Sequence, residues 1–79
     1  MRRMEERLKK IMSDVFLVNI SSINDYSSPD TIHKWDSIGH LNLVAAIEEE
    51  FDISVSDEQM LQMLNFKLTR EIIFECINK

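Results

Sequence analysis

The sequence is poor in the residues that break helices and in those that cross-link chains. Its 79 residues include one glycine, one proline and one cysteine. A fold rich in tight turns needs more glycine and proline, so their scarcity favours helices. A single cysteine excludes an internal disulfide framework and a metal cluster built on cysteines. Cys76 lies in an apolar stretch and is expected to pack as a small hydrophobic residue, which suits a reducing cytoplasm.

Long apolar runs are also lacking. No stretch approaches the roughly 18 apolar residues of a membrane span, and the charged N-terminal stretch does not resemble a signal peptide. We therefore expect a cytoplasmic protein without a membrane span. We also expect a monomer. A chain of this length predicts a single domain, 1–79, with a thin core and no deep enzyme cleft.

Basic residues are almost absent from the middle of the chain. Between Asp14 and Glu58 there are ten acidic residues and one basic residue, Lys34, whereas residues 1–10 include five basic and two acidic ones. An acidic body repels phosphates, so no nucleic-acid partner is expected. Basic protein surfaces are the expected partners, with the field acting mainly on encounter and orientation. The alternative is that the acidity only keeps the protein soluble.

Apolar residues at helical spacing predict an amphipathic first helix whose pattern fades after Phe16. Its buried stripe is Met4, Leu8, Ile11, Met12 and Val15. Residues 19–36 are rich in turn-forming residues and predict a long loop, which is often a functional feature. Four apolar residues are expected to hold this loop to the core: Ile20, Ile23, Tyr26 and Ile32.

A second helix is predicted after Asp36, a good N-cap. The residues expected to face the core are Leu43, Val44, Ile47 and Phe51. A second apolar strip lies on another side of this helix and consists of Ile38, Leu41 and Ala45. Such a strip is costly to leave in water unless something covers it. Glu48, Glu49 and Glu50 close the helix at the unfavourable end of its dipole, so stability is not their obvious purpose.

The remaining residues predict two further helices. Ser56 to Gln59 match a capping box that opens a short third helix ending at Leu61 or Leu64. The last helix covers about Lys67 to Ile77. Its inward residues are expected to be Leu68, Ile72, Ile73, Cys76 and Ile77. The predicted fold is all-α, an antiparallel four-helix bundle with three main helices, one short helix and a long first loop.

Ser37 is notable for its position in the first turn of the second helix. Free backbone N–H groups and the positive dipole end gather there and would stabilise a phosphate ester on its hydroxyl. Gly39 costs about 1 kcal/mol of helix propensity, and its missing side chain is expected to let a partner approach Ser37. On the local sequence alone, an ordinary Asp-Ser helix start is the simpler interpretation.

Other chemistry at this position is less well supported. Ser37 and His40 are close enough on a helix to meet, but a hydrolase also needs an orienting acid and an oxyanion hole. Asp36, Asp52, Asp57 and His40 match no known metal-ligand spacing. We predict no catalytic residue and no metal ligand, and we expect His40 to be a surface or half-buried residue.

The segment Asp36-Ser37-Ile38-Gly39-His40-Leu41 resembles the Asp-Ser-Leu motif of acyl carrier proteins. The similarity continues through Leu43-Val44 and Ile47-Glu48-Glu49-Glu50-Phe51-Asp52-Ile53, and it covers nearly the whole chain. The resemblance implies that Ser37, preceded by Asp36, carries 4′-phosphopantetheine. A separate phosphopantetheinyl transferase would attach this group from coenzyme A. The non-catalytic carrier would then hold acyl thioesters for enzymes of fatty-acid, polyketide or related specialised biosynthesis.

The resemblance also gives the acidic residues a role. Glu48, Glu49 and Glu50, with Asp36 and Asp57, would form a docking surface for basic patches on the transferase and on acyl-loading, elongating and acyl-transfer enzymes. The apolar centre of this interface would be Ile38, Leu41 and Ala45. By resemblance, the core can part to shelter an acyl chain. The residues expected to line that shelter are Val44, Ile47, Phe51, Leu61 and Ile72.

The sequence departs from housekeeping fatty-acid carriers at several positions. Gly39 and Asn42 stand where those carriers usually have acids, and the first helix is unusually basic. Trp35 and the Gly-His-Leu after Ile38 resemble stand-alone carriers of specialised pathways, and the Gly-Gly-His-Ser type motif of peptidyl carriers is absent. We therefore favour a specialised carrier. The alternative from another class is a helical adaptor that binds a basic partner without any prosthetic group.

Overall fold

A computed structural model describes residues 2–78, which form four α-helices and one short 3₁₀ helix. The α-helices are α1 (Arg2–Phe16), α2 (Ser37–Phe51), α3 (Asp57–Gln62) and α4 (Phe66–Ile77), and the 3₁₀ turn Ile20–Ser22 lies in the α1–α2 loop. No strand occurs in this range, so the all-helical prediction is confirmed. None of the helices in residues 2–78 is long and apolar enough to cross a membrane.

Two contacts relate α1 to α2. Arg7, near the start of α1, forms an ion pair with Glu50, near the end of α2 (2.9 Å between Arg7 Nε and Glu50 Oε2). Phe16, at the end of α1, stacks on Trp35, which precedes α2, with 5.2 Å between ring centroids. The first contact joins the first half of α1 to the end of α2, and the second joins the end of α1 to the residue before α2. Two helices that run antiparallel make contacts in this order. The antiparallel order of the whole bundle stays a prediction.

α2 and α3 begin at the predicted caps. Asp36 Oδ1 accepts a hydrogen bond from the Gly39 amide at 2.8 Å. Ser56 and Gln59 form the reciprocal capping box, with distances of 3.1 Å and 3.0 Å. Asn65 caps α4 in the same way as Asp36 caps α2. These side chains satisfy backbone N–H groups that a helix start leaves without partners, which fixes where α2, α3 and α4 begin.

The buried residues form two clusters of unequal size. The main cluster joins α1, the α1–α2 loop, α2 and α4 through Met4, Leu8, Met12, Phe16, Ile23, Ile32, Trp35, Leu43, Ile47, Phe66 and Ile73. The small cluster consists of Val44, Met63 and Ile72, with Val55, Met60 and Cys76 packed against it. No residue of α3 itself is buried. Most of the stabilising burial therefore lies away from α3.

Four residues predicted to face the core are on the surface. Their exposed fractions are 46% for Ile20, 82% for Tyr26, 72% for Leu61 and 48% for Ile77. Ile23 and Ile32 do hold the loop to the core as predicted.

The errors have local causes. The Tyr26 amide donates to Asn24 Oδ1 in a tight turn, and the tyrosine ring extends into solvent. α3 has Met60 half-buried, and successive residues of a helix are about 100° apart, so Leu61 faces outward. Ile77 is the last residue of α4, beyond the stretch that packs on the main cluster.

Candidate functional site

Ser37 is the first residue of α2 and is exposed. Asp36 precedes it in an extended conformation and directs its carboxylate to the Gly39 amide. The amides of Ser37 and Ile38 have no hydrogen-bond partner among the residues that the structure describes. The Ser37 hydroxyl therefore lies beside two free donors at the positive end of a 15-residue helix. Such a position stabilises a phosphate group.

Gly39 is buried, and its missing side chain faces the α1–α2 loop. A Cβ at this position would overlap the Lys34 carbonyl oxygen and would lie 3.3 Å from Asp36 Oδ1. The expectation that this glycine opens a path for a partner is therefore wrong. Glycine is needed because the loop backbone passes against the first turn of α2.

His40 is half-buried, as predicted, and joins three parts of the molecule. The Trp35 indole Nε1 donates to His40 Nδ1 at 2.8 Å, and His40 Nε2 lies 2.8 Å from the Met60 carbonyl oxygen. An indole N–H only donates and a carbonyl only accepts, so Nδ1 is unprotonated and Nε2 carries the proton. Both ring nitrogens are thus engaged, and neither is available as a base for Ser37.

An open, largely apolar groove of about 550 Å³ lies beside Ser37, between α2 and α3. Its lining residues are Pro29, Trp35, Asp36, Ser37, His40, Leu41, Met60, Leu61, Met63 and Leu64. Leu61, which was predicted for the core, is part of this lining. The groove could not be seen in the sequence because it depends on where α3 lies against α2.

The second apolar strip of α2 is exposed, as its spacing predicted. Ile38 is 72% and Leu41 is 57% exposed, and Ala45 also lies at the surface. Glu49 is exposed and follows Ala45 by one helical turn, so it extends the same face. Asp57, at the start of α3, is exposed as well.

The three glutamates at the end of α2 differ in their surroundings. Glu48 is half-buried, and its Oε2 accepts from the Val55 amide at 2.8 Å. Glu50 accepts from Arg7 through both its carboxylate (2.9 Å) and its backbone carbonyl (2.7 Å). Glu49 makes no side-chain hydrogen bond within residues 2–78. Glu48 and Glu50 therefore make contacts within the fold that the sequence did not indicate, whereas Glu49 makes none in this range.

The residues considered as metal ligands occupy separate structural positions. Asp52 takes a left-handed conformation (φ 53°) and ends α2, whereas Asp57 begins α3. Across residues 2–78, no three His, Cys, Asp or Glu side chains are grouped so that they could hold a metal ion.

The site thus combines an exposed serine at a helix start, an apolar groove beside it and an acidic, partly apolar helix face. No protein-family model matches the chain. The acyl carrier protein of Buchnera aphidicola subsp. Schizaphis graminum (strain Sg) is 41% identical over 59 residues, which is 73% of each chain. The acyl carrier proteins of two strains of Buchnera aphidicola subsp. Acyrthosiphon pisum, Tuc7 and 5A, are each 42% identical over 60 residues, covering 75% of this chain and 74% of theirs. The chain belongs to the acyl carrier protein family.

Proposed function

We propose that Ser37 carries 4′-phosphopantetheine and that the chain presents acyl groups, held as thioesters on that arm, to biosynthetic enzymes. The observation that carries the proposal is the position of Ser37, whose exposed hydroxyl lies beside the free amides at the start of α2. These donors fit a phosphodiester, and the adjoining groove offers an apolar surface for an arm. When attached, the group would supply the thiol on which acyl groups are carried.

The chain's own residues suit a passive anchor. The ring nitrogens of His40 are both engaged, and the Asp36 carboxylate is used on the Gly39 amide. Activation of the Ser37 hydroxyl is therefore assigned to a separate phosphopantetheinyl transferase that takes the arm from coenzyme A. Asp36 contributes by fixing the start of α2, and hence the position of the hydroxyl.

The proposed docking surface is the exposed face of α2 beside Ser37. Ile38, Leu41 and Ala45 form its apolar centre, which a partner would cover. Glu49 and Asp57 supply exposed negative charge for basic patches on the transferase and on enzymes that load, elongate or transfer acyl groups. Glu48 and Asp36 lie at its margin and contribute less freely, because each carboxylate already accepts a backbone hydrogen bond.

The small cluster is the proposed shelter for an acyl chain. Met63 lines the groove beside Ser37 and also belongs to the small cluster with Val44 and Ile72. A chain entering from the groove could therefore reach the small cluster past Met63. The departures at Gly39, Asn42 and Trp35 favour a carrier of a specialised pathway over the general fatty-acid carrier.

The test is modification in vitro. The chain is incubated with coenzyme A, magnesium and a promiscuous phosphopantetheinyl transferase, and the intact mass is measured. We expect a gain of one phosphopantetheine group that disappears in Ser37→Ala. Ser56→Ala is the matched control, because Ser56 is also an exposed serine at a helix start, and it should be modified normally. No gain with a transferase that modifies another carrier, or an equal gain in Ser37→Ala, would contradict the proposal.

The same variants separate the alternatives. A helical adaptor would bind a basic partner with strong salt dependence and equal affinity in Ser37→Ala. A hydrolase would react at Ser37 with an active-serine probe in the absence of any transferase, which the engaged ring nitrogens of His40 argue against.

A further inference from the structure

The imidazole of His40 links α3 to the rest of the molecule. We propose that His40 is a positioning residue whose two hydrogen bonds, from Trp35 and to the Met60 carbonyl, hold α3 against α2 and set the width of the groove beside Ser37. We call this pair of hydrogen bonds the His40 bridge. Its consequence for a carried acyl chain rests on the proposed function, whereas the bridge itself does not.

One end of the bridge is rigid. Trp35 is 1% exposed and belongs to the main cluster. Its ring stacks on Phe16 at 5.2 Å between centroids, and it lies edge to edge with the His40 ring, with 6.2 Å between centroids and an angle of 16° between the planes. The indole N–H cannot turn towards another acceptor without disturbing this packing. Trp35 therefore fixes the orientation of the His40 ring.

The other end of the bridge is an element with few anchors of its own. α3 has six residues and none of them is buried. Within residues 2–78, its only other polar contact with a helix is the weak one between Cys76 Sγ and Gln59 Oε1 at 3.7 Å. Its capping box, Ser56 with Gln59, is internal and does not attach it to α2. The Met60 carbonyl is thus the main polar attachment of α3.

The bridge lies at the boundary between the groove and the small cluster. Met60 and Met63 both line the groove, and both pack with Val44 and Ile72. A movement of α3 away from α2 would break the bond from His40 Nε2 and widen the groove towards Val44. The bridge therefore keeps the small cluster closed on the side that faces Ser37.

Histidine suits this position because it offers one acceptor and one donor on opposite sides of a small ring. A glutamine amide also offers an acceptor and a donor, whereas leucine fills a similar space and offers neither. His40→Leu should break the bridge, and His40→Gln should restore at least part of it. This pair separates the hydrogen bonds from the packing of the ring.

The test is hydrogen exchange of individual amides, followed by NMR on the unmodified chain at neutral pH. In His40→Leu we expect the protected amides of Leu61, Gln62 and Met63 to exchange about tenfold faster, the effect of losing one or two hydrogen bonds. Amides in the middle of α1 should change much less, because the main cluster is intact. The Trp35 indole N–H, the only indole in the chain, should shift and exchange faster.

Two further variants keep the result interpretable. Ser13→Ala is the matched control, because it removes a partly buried hydrogen bond at the far end of α1, from Ser13 Oγ to the Val18 carbonyl, and should leave α3 exchange unchanged. Trp35→Phe removes only one of the two bonds and keeps an aromatic ring, so it should give a smaller acceleration of about threefold at the same α3 amides. If His40→Leu does not fold, Trp35→Phe still tests the bridge.

The proposal is overturned if exchange accelerates equally in all helices, if α3 exchange is unchanged, or if His40→Gln behaves like His40→Leu. Because these measurements use the unmodified chain, they are independent of Ser37. If exchange accelerates only at α3 but the chain accepts no phosphopantetheine, the His40 bridge is supported and the proposed function is rejected. If the chain is modified normally but exchange accelerates equally in all helices, the proposed function is supported and the His40 bridge is rejected.

Discussion

The main cluster and the α3 side of the molecule are constructed differently. Eleven buried residues from α1, the α1–α2 loop, α2 and α4 make up the main cluster, whereas three make up the small cluster. α3 adds no buried residue and leaves Leu61 72% exposed. Burial of apolar area is the dominant favourable term in folding, so the main cluster supplies most of the stability and α3 is held more weakly.

α2 belongs to both regions. Leu43 and Ile47 pack in the main cluster, Val44 packs in the small one, and Ser37 begins the helix beside the groove. A serine on α2 is therefore presented by the well-packed part of the molecule. One wall of the groove next to it is α3, which contributes no buried residue. Under the proposed function, the attachment point is held by the well-packed part of the molecule, and the groove for the cargo lies on its weakly anchored side.

The strongest test of this comparison is to truncate one buried side chain in each cluster and compare the losses of stability. Leu43→Ala should lower the free energy of unfolding by about 3 kcal/mol, because the tightly packed main cluster cannot fill the space. Met63→Ala should cost less, about 2 kcal/mol, because α3 can shift into the space it leaves. Urea denaturation measures both. A loss at Met63 equal to or larger than that at Leu43 would show that the α3 side is as tightly packed as the main cluster.

Gly39→Ala tests the contact between the loop and α2. Helix propensity alone would make this change stabilising by about 1 kcal/mol. We expect a loss of about 2 kcal/mol instead, because the added Cβ overlaps the Lys34 carbonyl and the loop must move. Asn42→Ala, at an exposed position of the same helix, should be neutral or slightly stabilising and is the control. A more stable Gly39→Ala protein would contradict the close approach.

The helices could be predicted from the sequence because their signals are local. Asp36 and Ser56 indicated where α2 and α3 begin, the apolar stripes of α1, α2 and α4 indicated most of the buried hydrophobic residues, and the start of α4 differed by one residue. The errors fell where periodicity carries little information. Tyr26 lies in an irregular loop, and Leu61 lies in a helix whose six residues are too few for their apolar spacing to identify the inward face.

The motif singled out Ser37 and its neighbours as the candidate site, but it did not indicate their surroundings. The groove, the His40 bridge and the reason for Gly39 all depend on contacts between different elements. Glu50 is similar, because its partner Arg7 lies 43 residues away. A local pattern shows which residues are available at a site, and only the packing of the elements shows which of them are already engaged.

Removing the N-cap of α4 and, separately, that of α3 shows whether each cap stabilises the whole fold or only its own helix. Asn65→Ala should lower global stability by about 1 kcal/mol, because α4 packs on the main cluster. Ser56→Ala removes a similar cap from α3 and should mainly accelerate amide exchange within α3, with little change in the urea midpoint. Comparing the midpoints of the two variants is the measurement. Equal global losses would mean that α3 folds and unfolds with the rest of the chain.

The smallest expected effects concern the acids at the end of α2. Glu49→Gln removes a negative charge near the helix C-terminus and should stabilise by about 0.3 kcal/mol. Glu50→Gln also removes a negative charge from the helix C-terminus, but it loses the exposed ion pair with Arg7, so its effect on stability should be close to zero. Thermal melts at low salt measure both changes. Moderate salt should raise the melting temperature of the unmodified chain, by screening the repulsion among these acids, and should reduce the gain from Glu49→Gln.

A clearly destabilising Glu49→Gln, or a salt-independent melting temperature, would contradict this account of the acids. If the expected order holds, the charge of Glu49 lowers the stability of the fold, whereas the unfavourable charge of Glu50 is offset by its ion pair with Arg7. A charge retained at a cost in stability requires another reason, and encounter with basic partners is the one that its exposed position beside Ala45 supports. Of the two neighbouring glutamates, Glu50 is then engaged within the fold, and Glu49 is left available to partners.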